Sequence, residues 1–152
     1  MKKMIKYNWF FEQSPETVWK FLTTSELIAQ WLMKTEFEPV LGHKFMFKTS
    51  PYLPLDFDGN IYCEVLEIEP VKKLVYSWKS GSGEGKINVD TIVTWMLIPK
   101  KNGTELILEH TGFDDLTNAT LYEMMNKGWD QNVSVKMGKL FNTKLQNETT
   151  GN

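Results

Sequence analysis

The chain has 152 residues, which fits one domain with a substantial buried core. Its net charge of −2 excludes the basic face expected of a nucleic-acid binder, while 13% aromatic residues supply bulky apolar groups. No stretch approaches the roughly 18 apolar residues of a membrane span, and the N-terminus lacks the pattern of a signal peptide. With Cys63 as its single cysteine, the protein is expected to be cytoplasmic and free of internal disulfides.

The N-terminal region predicts one strand followed by two short helices. Apolar residues alternate along residues 5–11, which is typical of a strand with one buried face. Ser14 is a good cap for a first helix, and Thr23 with Glu26 has the spacing of a capping box that starts a second one. Neither helix is long enough to be stable alone, so both must pack on the rest of the domain, in part through Trp31.

Residues 35–111 predict about six successive antiparallel strands. The separators are a Pro-rich loop at residues 50–60, the flexible stretch GSGEGK, and a hairpin turn at Lys101-Asn102-Gly103. The facing of residues 61–69 stays open because both alternations carry apolar residues, which indicates a bulge.

Residues from about 115 to 145 predict one long C-terminal helix, capped by Asp114 or Thr117 and followed by a frayed polar tail. Its apolar residues recur every four positions: Leu121, Met125, Trp129, Val133 and Met137. A strict spacing of four drifts around an α-helix, so the buried face is expected to be wide. Gly128 would let the sheet or a ligand come close to the helix.

This order of elements predicts a single α+β domain over residues 1–152, ordered at about 4–145. A curved antiparallel sheet cannot bury its concave face alone, so the long helix is expected to lie across that face. The two short helices would close one end of the sheet. The arrangement, β-α-α-β6-α, tends to leave a cavity between the sheet and the long helix.

Several sequence patterns resemble known chemical sites but lack essential residues. Residues 81–86 miss the spacing of a phosphate-binding loop, and residues 56–59 lack the remaining ligands of a calcium loop. His43, His110 and Cys63 have no metal-ligand spacing, and Cys63 is interpreted as a small buried hydrophobe. We therefore expect no metal and no cofactor, and we assign no catalytic residue.

His110 is the polar residue of greatest interest. Counting by two from Leu106 and Leu108 places His110 on the inward face of the last strand. It is either a buried histidine bonded to a backbone carbonyl or to Tyr76, or a polar group that orients a ligand. Trp129 is most simply a core anchor. The predicted ligand-binding residues are Phe45, Phe47, Tyr76, Trp78, Trp95, His110, Phe113 and Trp129.

Six sequence segments, which form four groups, follow one another along the chain in an order that is typical of one protein family. They are SPETVWKFLTTSELIAQW; EVLEIEP with LVYSW; TIVTWMLIP with GTELILEHTGF; and GWDQN. Together they resemble the family of domains similar to the C-terminal part of the heat-shock protein 90 ATPase activator, within the START and birch-pollen-allergen superfamily. The resemblance covers about residues 4–145. It implies a helix-grip fold with a central hydrophobic cavity.

Three functions are compatible with these observations. The leading hypothesis is the binding of a small apolar or amphipathic molecule in the cavity. The second is a protein-interaction module, such as a chaperone partner, which predicts an exposed apolar patch. The third is a cavity-based enzyme of the cyclase or hydrolase type that uses His110, with Tyr76 as a helper. Binding is favoured over catalysis because His110 is the only acid–base group that can be named.

Overall fold

The computed structural model describes residues 4–113 and 119–142. The strands are β1 (Ile5–Phe11), β2 (Lys34–Thr35), β3 (Lys44–Lys48), β4 (Asn60–Glu69), β5 (Lys73–Gly83), β6 (Lys86–Lys100) and β7 (Gly103–Thr111). The helices are α1 (Pro15–Thr23), α2 (Ser25–Trp31) and α3, which comprises Ala119–Asp130, a π-helical part at Gln131–Met137, and residues up to 142. The predicted order of elements is confirmed. The helix caps expected at Asp114 or Thr117 and the polar tail lie outside the described residues.

The seven strands form one antiparallel sheet in the order β1-β7-β6-β5-β4-β3-β2. Neighbours in the sheet are neighbours in the chain, except that β1 pairs with β7. The predicted turn between β6 and β7 is a two-residue loop of Lys101 and Asn102. The sheet curls into a half-barrel around α3, of which 24 residues are described, so the predicted α+β architecture is confirmed. The buried core lies between the concave face and the helices.

The ambiguous strand β4 contains the bulge that its sequence indicates. The register against β5 shifts between Val65 and Glu67. Before the shift Ile61 and Cys63 face the core, and after it Leu66 is exposed. Burial raises the pKa of the Cys63 thiol well above its ordinary value, so Cys63 is a packed apolar group and not a reactive thiolate.

The two short helices begin where side chains or backbone groups can satisfy free N–H groups. The Ser14 hydroxyl accepts a hydrogen bond from the Thr17 N–H at 3.3 Å, as the sequence predicts. The capping box predicted at Thr23 is wrong by one residue. Thr23 is the last residue of α1, where its hydroxyl donates to the Trp19 carbonyl at 2.7 Å, and Thr24 precedes α2 without a side-chain cap.

The helix pair is joined by a buried tryptophan. Trp31 ends α2 with its ring almost fully buried, and its indole N–H donates to the Phe21 carbonyl of α1 at 2.9 Å. The edge of the same ring packs against Trp95 of the sheet, with the ring centroids 5.9 Å apart. Trp31 therefore ties both short helices to the concave face.

The apolar stripe of α3 stays buried because the helix changes its pitch. An α turn takes 3.6 residues, so residues four apart drift around the axis. The π-helical part has a wider turn, which compensates for that drift. Trp129, Val133, Met137 and Phe141 consequently all face the core, each at most 2% exposed.

Candidate ligand-binding site

An apolar cavity of about 210 Å³ lies between the sheet and α3. Its wall comes from the chain that follows α2, from the loop at residues 49–57, from β4 and β5, and from one face of α3. On α3 the lining residues lie three and four positions apart, between Leu121 and Asn132, which is the spacing of a single helix face. The helix periodicity and the irregular loop together create this space.

The wall of the cavity is apolar and adaptable. Its lining contains no Asp, Glu, Lys, Arg or His among the described residues. Three of the lining side chains are the methionines Met33, Met124 and Met125. Methionine is unbranched and flexible, so this wall can adjust to ligands of different shape.

Two of the predicted ligand-binding residues, Trp78 and Trp129, lie in this wall. Their ring centroids are 5.1 Å apart and their planes are inclined by 51°. Gly128 lines the cavity beside them, and a Cβ added there would meet no atom within 4 Å. The sheet therefore does not approach α3 closely at Gly128, and the free space adjoins the cavity instead.

The other six predicted residues lie in the adjacent core and do not line this cavity. They are Phe45, Phe47, Tyr76, Trp95, His110 and Phe113, each at most 3% exposed. Their rings pack on one another, largely edge to face, and this packing fills the space that the prediction assigned to a ligand. Their ligand-binding role stays a prediction that no cavity contact supports.

Tyr76 illustrates how completely this part of the interior is occupied. Its ring contacts Phe45 and Phe47 at centroid distances of 5.4 Å and 5.9 Å. Its hydroxyl accepts a hydrogen bond from the Trp95 indole N–H at 2.9 Å. Burial raises the pKa of Tyr76 above its ordinary value, so the phenol stays neutral.

His110 lies in a continuous hydrogen-bond chain, here called the His110 relay, that links α3 to the sheet. The Trp129 indole N–H donates to His110 Nδ1 at 2.9 Å, so the ring proton of the neutral imidazole is on Nε2. Nε2 donates to the Thr91 hydroxyl at 2.8 Å, and that hydroxyl donates to the Trp78 carbonyl at 2.7 Å. Every nitrogen of the imidazole has a protein partner.

These contacts support the interpretation of His110 as a buried histidine whose bonds are satisfied. The predicted partners, a backbone carbonyl or Tyr76, are wrong, because both partners are the side chains of Thr91 and Trp129. His110 is fully buried, and burial lowers its pKa to about 3. A neutral, fully bonded imidazole outside the cavity wall is poorly suited to general acid–base catalysis.

Several residues that line the cavity are missing from the predicted ligand-binding residues, although the sequence pattern indicates some of them. Met125 and Asn132 share a helix face with Trp129 at spacings of four and three. Ser80 lies two positions after Trp78 on β5, and Thr91 of the relay extends the inward alternation of β6 by one step. The loop at residues 49–57 carries no periodicity, so no pattern predicts its place in the wall.

Residues 4–113 and 119–142 contain no group of three or more His, Cys, Asp or Glu side chains that would hold a metal ion. Among the same residues, no helix combines the length and the apolar character required to cross a membrane.

A curved antiparallel sheet closed on a long helix, with an apolar cavity between them, defines the helix-grip class of proteins. The sequence model of the activator of Hsp90 ATPase homolog 1-like proteins matches residues 3–142. The chain belongs to this family. No curated protein sequence is significantly similar to it.

Solved structures agree with this assignment. The chain is similar to protein MLL2253 from Mesorhizobium loti, with 31% identity and a TM-score of 0.79 over 93% of this chain and 98% of that chain. Protein BH1534 from Bacillus halodurans has 27% identity and a TM-score of 0.68, covering 88% of this chain and 94% of that chain. The Aha1 dimer from Colwellia psychrerythraea shares the fold, with 19% identity, a TM-score of 0.65, and 90% and 98% covered.

Proposed function

We propose that the protein binds a small apolar or amphipathic molecule in the cavity between the sheet and α3. The observation that carries this proposal is the cavity itself, which remains beside a tightly packed aromatic core. An apolar cavity of about 150 Å³ is known to stay dry and to accept benzene. The present cavity, at about 210 Å³, is larger, and its wall is mainly apolar, with Thr49, Ser80 and Asn132 among its polar residues.

The cavity volume limits the size of the ligand. Sites for drug-sized ligands typically measure about 300–1,000 Å³. A cavity of about 210 Å³ suits a molecule of one or two rings. A larger ligand would require Met33, Met124 or Met125 to move, or would extend into solvent beside the exposed Tyr52 and Met124.

Intrinsic fluorescence offers a direct test because Trp78 and Trp129 lie in the cavity wall. Lipids, flavonoids, aromatic acids and substituted naphthalenes would be titrated into the purified protein. Gly128→Leu should abolish binding because its side chain occupies the cavity. Gly138→Leu is the matched control, since it also lies on α3 in open space but does not line the cavity. Equal binding by both variants would contradict the proposal.

A protein-interaction role is the second candidate, and exposed apolar side chains beside the cavity favour it. Leu53 is 82% exposed, and its neighbour Tyr52 and the helix residue Met124 are also exposed. The family name refers to an activator of the Hsp90 ATPase, so Hsp90 is the first partner to test. Stimulation of Hsp90 ATPase activity that Leu53→Ser removes would support this role, and no stimulation would exclude it.

The cysteine content supports a proposal for the location of the protein. We propose that it is cytoplasmic, which the single, unpaired and buried Cys63 favours.

The enzyme hypothesis based on His110 receives no support, because His110 does not line the cavity and both of its nitrogens are bonded within the protein.

A further inference from the structure

We propose that the ligand of this cavity is an uncharged molecule with a polar group that bonds to the hydroxyl of Ser80. This inference rests on the proposed function and specifies the class of molecule bound. It depends on three features of the cavity: the lack of acidic and basic side chains among the described residues of its wall, the Ser80 hydroxyl without a hydrogen bond, and the irregular strand at that residue.

The first feature is the charge of the wall. No acidic or basic side chain lines the cavity among the described residues. A charged ligand group would lose its hydration there without gaining a counter-charge, which is strongly unfavourable. Carboxylates and ammonium compounds should therefore bind much more weakly than neutral molecules of the same shape.

The second feature is the bonding state of Ser80. It lies on β5 and lines the cavity, yet it is only 8% exposed. Within residues 4–113 and 119–142 its hydroxyl makes no hydrogen bond. The nearby buried hydroxyls are used: that of Ser77 accepts from the Glu64 N–H at 2.9 Å, and that of Thr91 belongs to the His110 relay. Among the described residues, the one fully buried side-chain oxygen without a hydrogen-bond partner is that of Thr35. The Ser80 oxygen is therefore accessible, and a ligand in the cavity can supply its missing hydrogen-bond partner.

The third feature is the irregular strand at Ser80. The register between β5 and β6 shifts directly after this residue, between Ser80 and Gly81. Such irregularities occur often beside functional sites, where they redirect a side chain.

Asn132 lines the cavity from α3, and within the described structure its side chain also makes no hydrogen bond. It provides a further donor and acceptor for the same ligand.

Three matched probes test the inference: methylnaphthalene, naphthol and naphthoate, each substituted at the same ring position. Calorimetry would give the affinity of each probe for the wild type, Ser80→Ala and Ser82→Ala. Ser82 is the control because it is an exposed serine of the same strand. The preference for naphthol over methylnaphthalene should fall about threefold to tenfold in Ser80→Ala, the worth of one hydrogen bond, and stay unchanged in Ser82→Ala. Naphthoate should bind most weakly.

The outcomes separate the two proposals. If the wild type binds none of the probes, the proposed function fails and this inference fails with it. If the probes bind but the naphthol preference is the same in Ser80→Ala, the inference alone is overturned. Tightest binding of naphthoate would also overturn it. Should Ser80→Ala not fold, Ser80→Cys, which keeps the volume but bonds weakly, makes the same comparison.

Discussion

The interface between the sheet and α3 has two regions that differ in side-chain size and in packing. The sealed region contains the packed rings of Phe45, Phe47, Tyr76, Trp95, His110 and Phe113. The open region is the cavity, where methionines, leucines, Gly128 and the loop at residues 49–57 join the rings of Trp78 and Trp129 in the wall. Aromatic rings that pack on one another fill the sealed region. The binding space lies where smaller or more flexible side chains interrupt that ring packing.

Trp129 lies on the border between the two regions. Its indole N–H donates to His110 in the sealed region, and its ring contacts Trp78 in the cavity wall. Thr91 in turn bonds to the carbonyl of Trp78. The His110 relay consequently bonds to both tryptophans of the wall, to the indole of Trp129 and to the backbone carbonyl of Trp78.

The largest effect on stability is expected from substituting Trp129, which lies on the border between the sealed and the open region. Trp129→Ala should lower the free energy of unfolding by about 3–5 kcal/mol, because it removes a buried ring that packs on Trp78, Trp95 and His110. Met124→Ala, at an exposed residue of the cavity wall, should cost about 1 kcal/mol or less. Urea denaturation measures both values. Similar losses in the two variants would mean that the regions do not differ in packing.

The relay itself can be broken by one substitution. Thr91→Val keeps the shape of the side chain but leaves the Nε2–H of His110 and the carbonyl of Trp78 without their partner. We expect a loss of about 2–4 kcal/mol, since an unpaired buried polar group costs about 1–3 kcal/mol. Thr94→Val, at a half-buried threonine of the same strand, is the control and should change stability little. Urea denaturation of the two variants measures these changes in the free energy of unfolding. Equal losses in Thr91→Val and Thr94→Val would contradict the role of Thr91 in the His110 relay.

The pH dependence of stability should report the burial of His110. Its pKa in the folded protein, about 3, is below the ordinary value of 6.5, so the unfolded chain binds a proton that the folded one excludes. Stability is therefore fully present above about pH 6.5 and falls by about 1.4 kcal/mol per pH unit as the pH drops toward 3. Unfolding free energies measured between about pH 7 and 5 should decline less steeply for His110→Gln. Parallel slopes would refute this role.

The smallest effects on stability are expected from substitutions of the two glycines of α3, Gly128 and Gly138. Gly128→Ala and Gly138→Ala should each stabilise the protein by about 0.5–1 kcal/mol, because both sites are helical and have room for a Cβ. Only Gly128→Ala should weaken binding of naphthol, since only Gly128 lines the cavity. Thermal melts with and without naphthol test both statements. Weaker binding in Gly138→Ala would place the site elsewhere.

The sequence predicts the fold far better than the site. Alternation along the strands, the Ser14 cap and the Lys101-Asn102-Gly103 turn are local signals, and each appears in the structure as predicted. Alternation shows which face a side chain occupies, but it does not show whether that side chain meets another ring or a cavity. Phe45 and Trp78 both face inward, and only Trp78 reaches the cavity.

The error at Thr23 has a related cause. The spacing of Thr23 and Glu26 predicts that α2 starts at Thr23, but α1 continues through Thr23 because the Thr24 N–H still bonds to the Lys20 carbonyl. The outcome depends on where the previous helix ends. Such choices depend on tertiary packing and not on local spacing.

A crystal of the protein soaked with bromonaphthol would show directly whether the cavity between the sheet and α3 binds a ligand. We expect a bromine anomalous peak inside the cavity, beside Trp78, Gly128 and Trp129, with the ligand hydroxyl directed at Ser80. A peak among the rings of the sealed region, between Phe45 and Tyr76, or on the surface alone would show that the cavity is not the binding site.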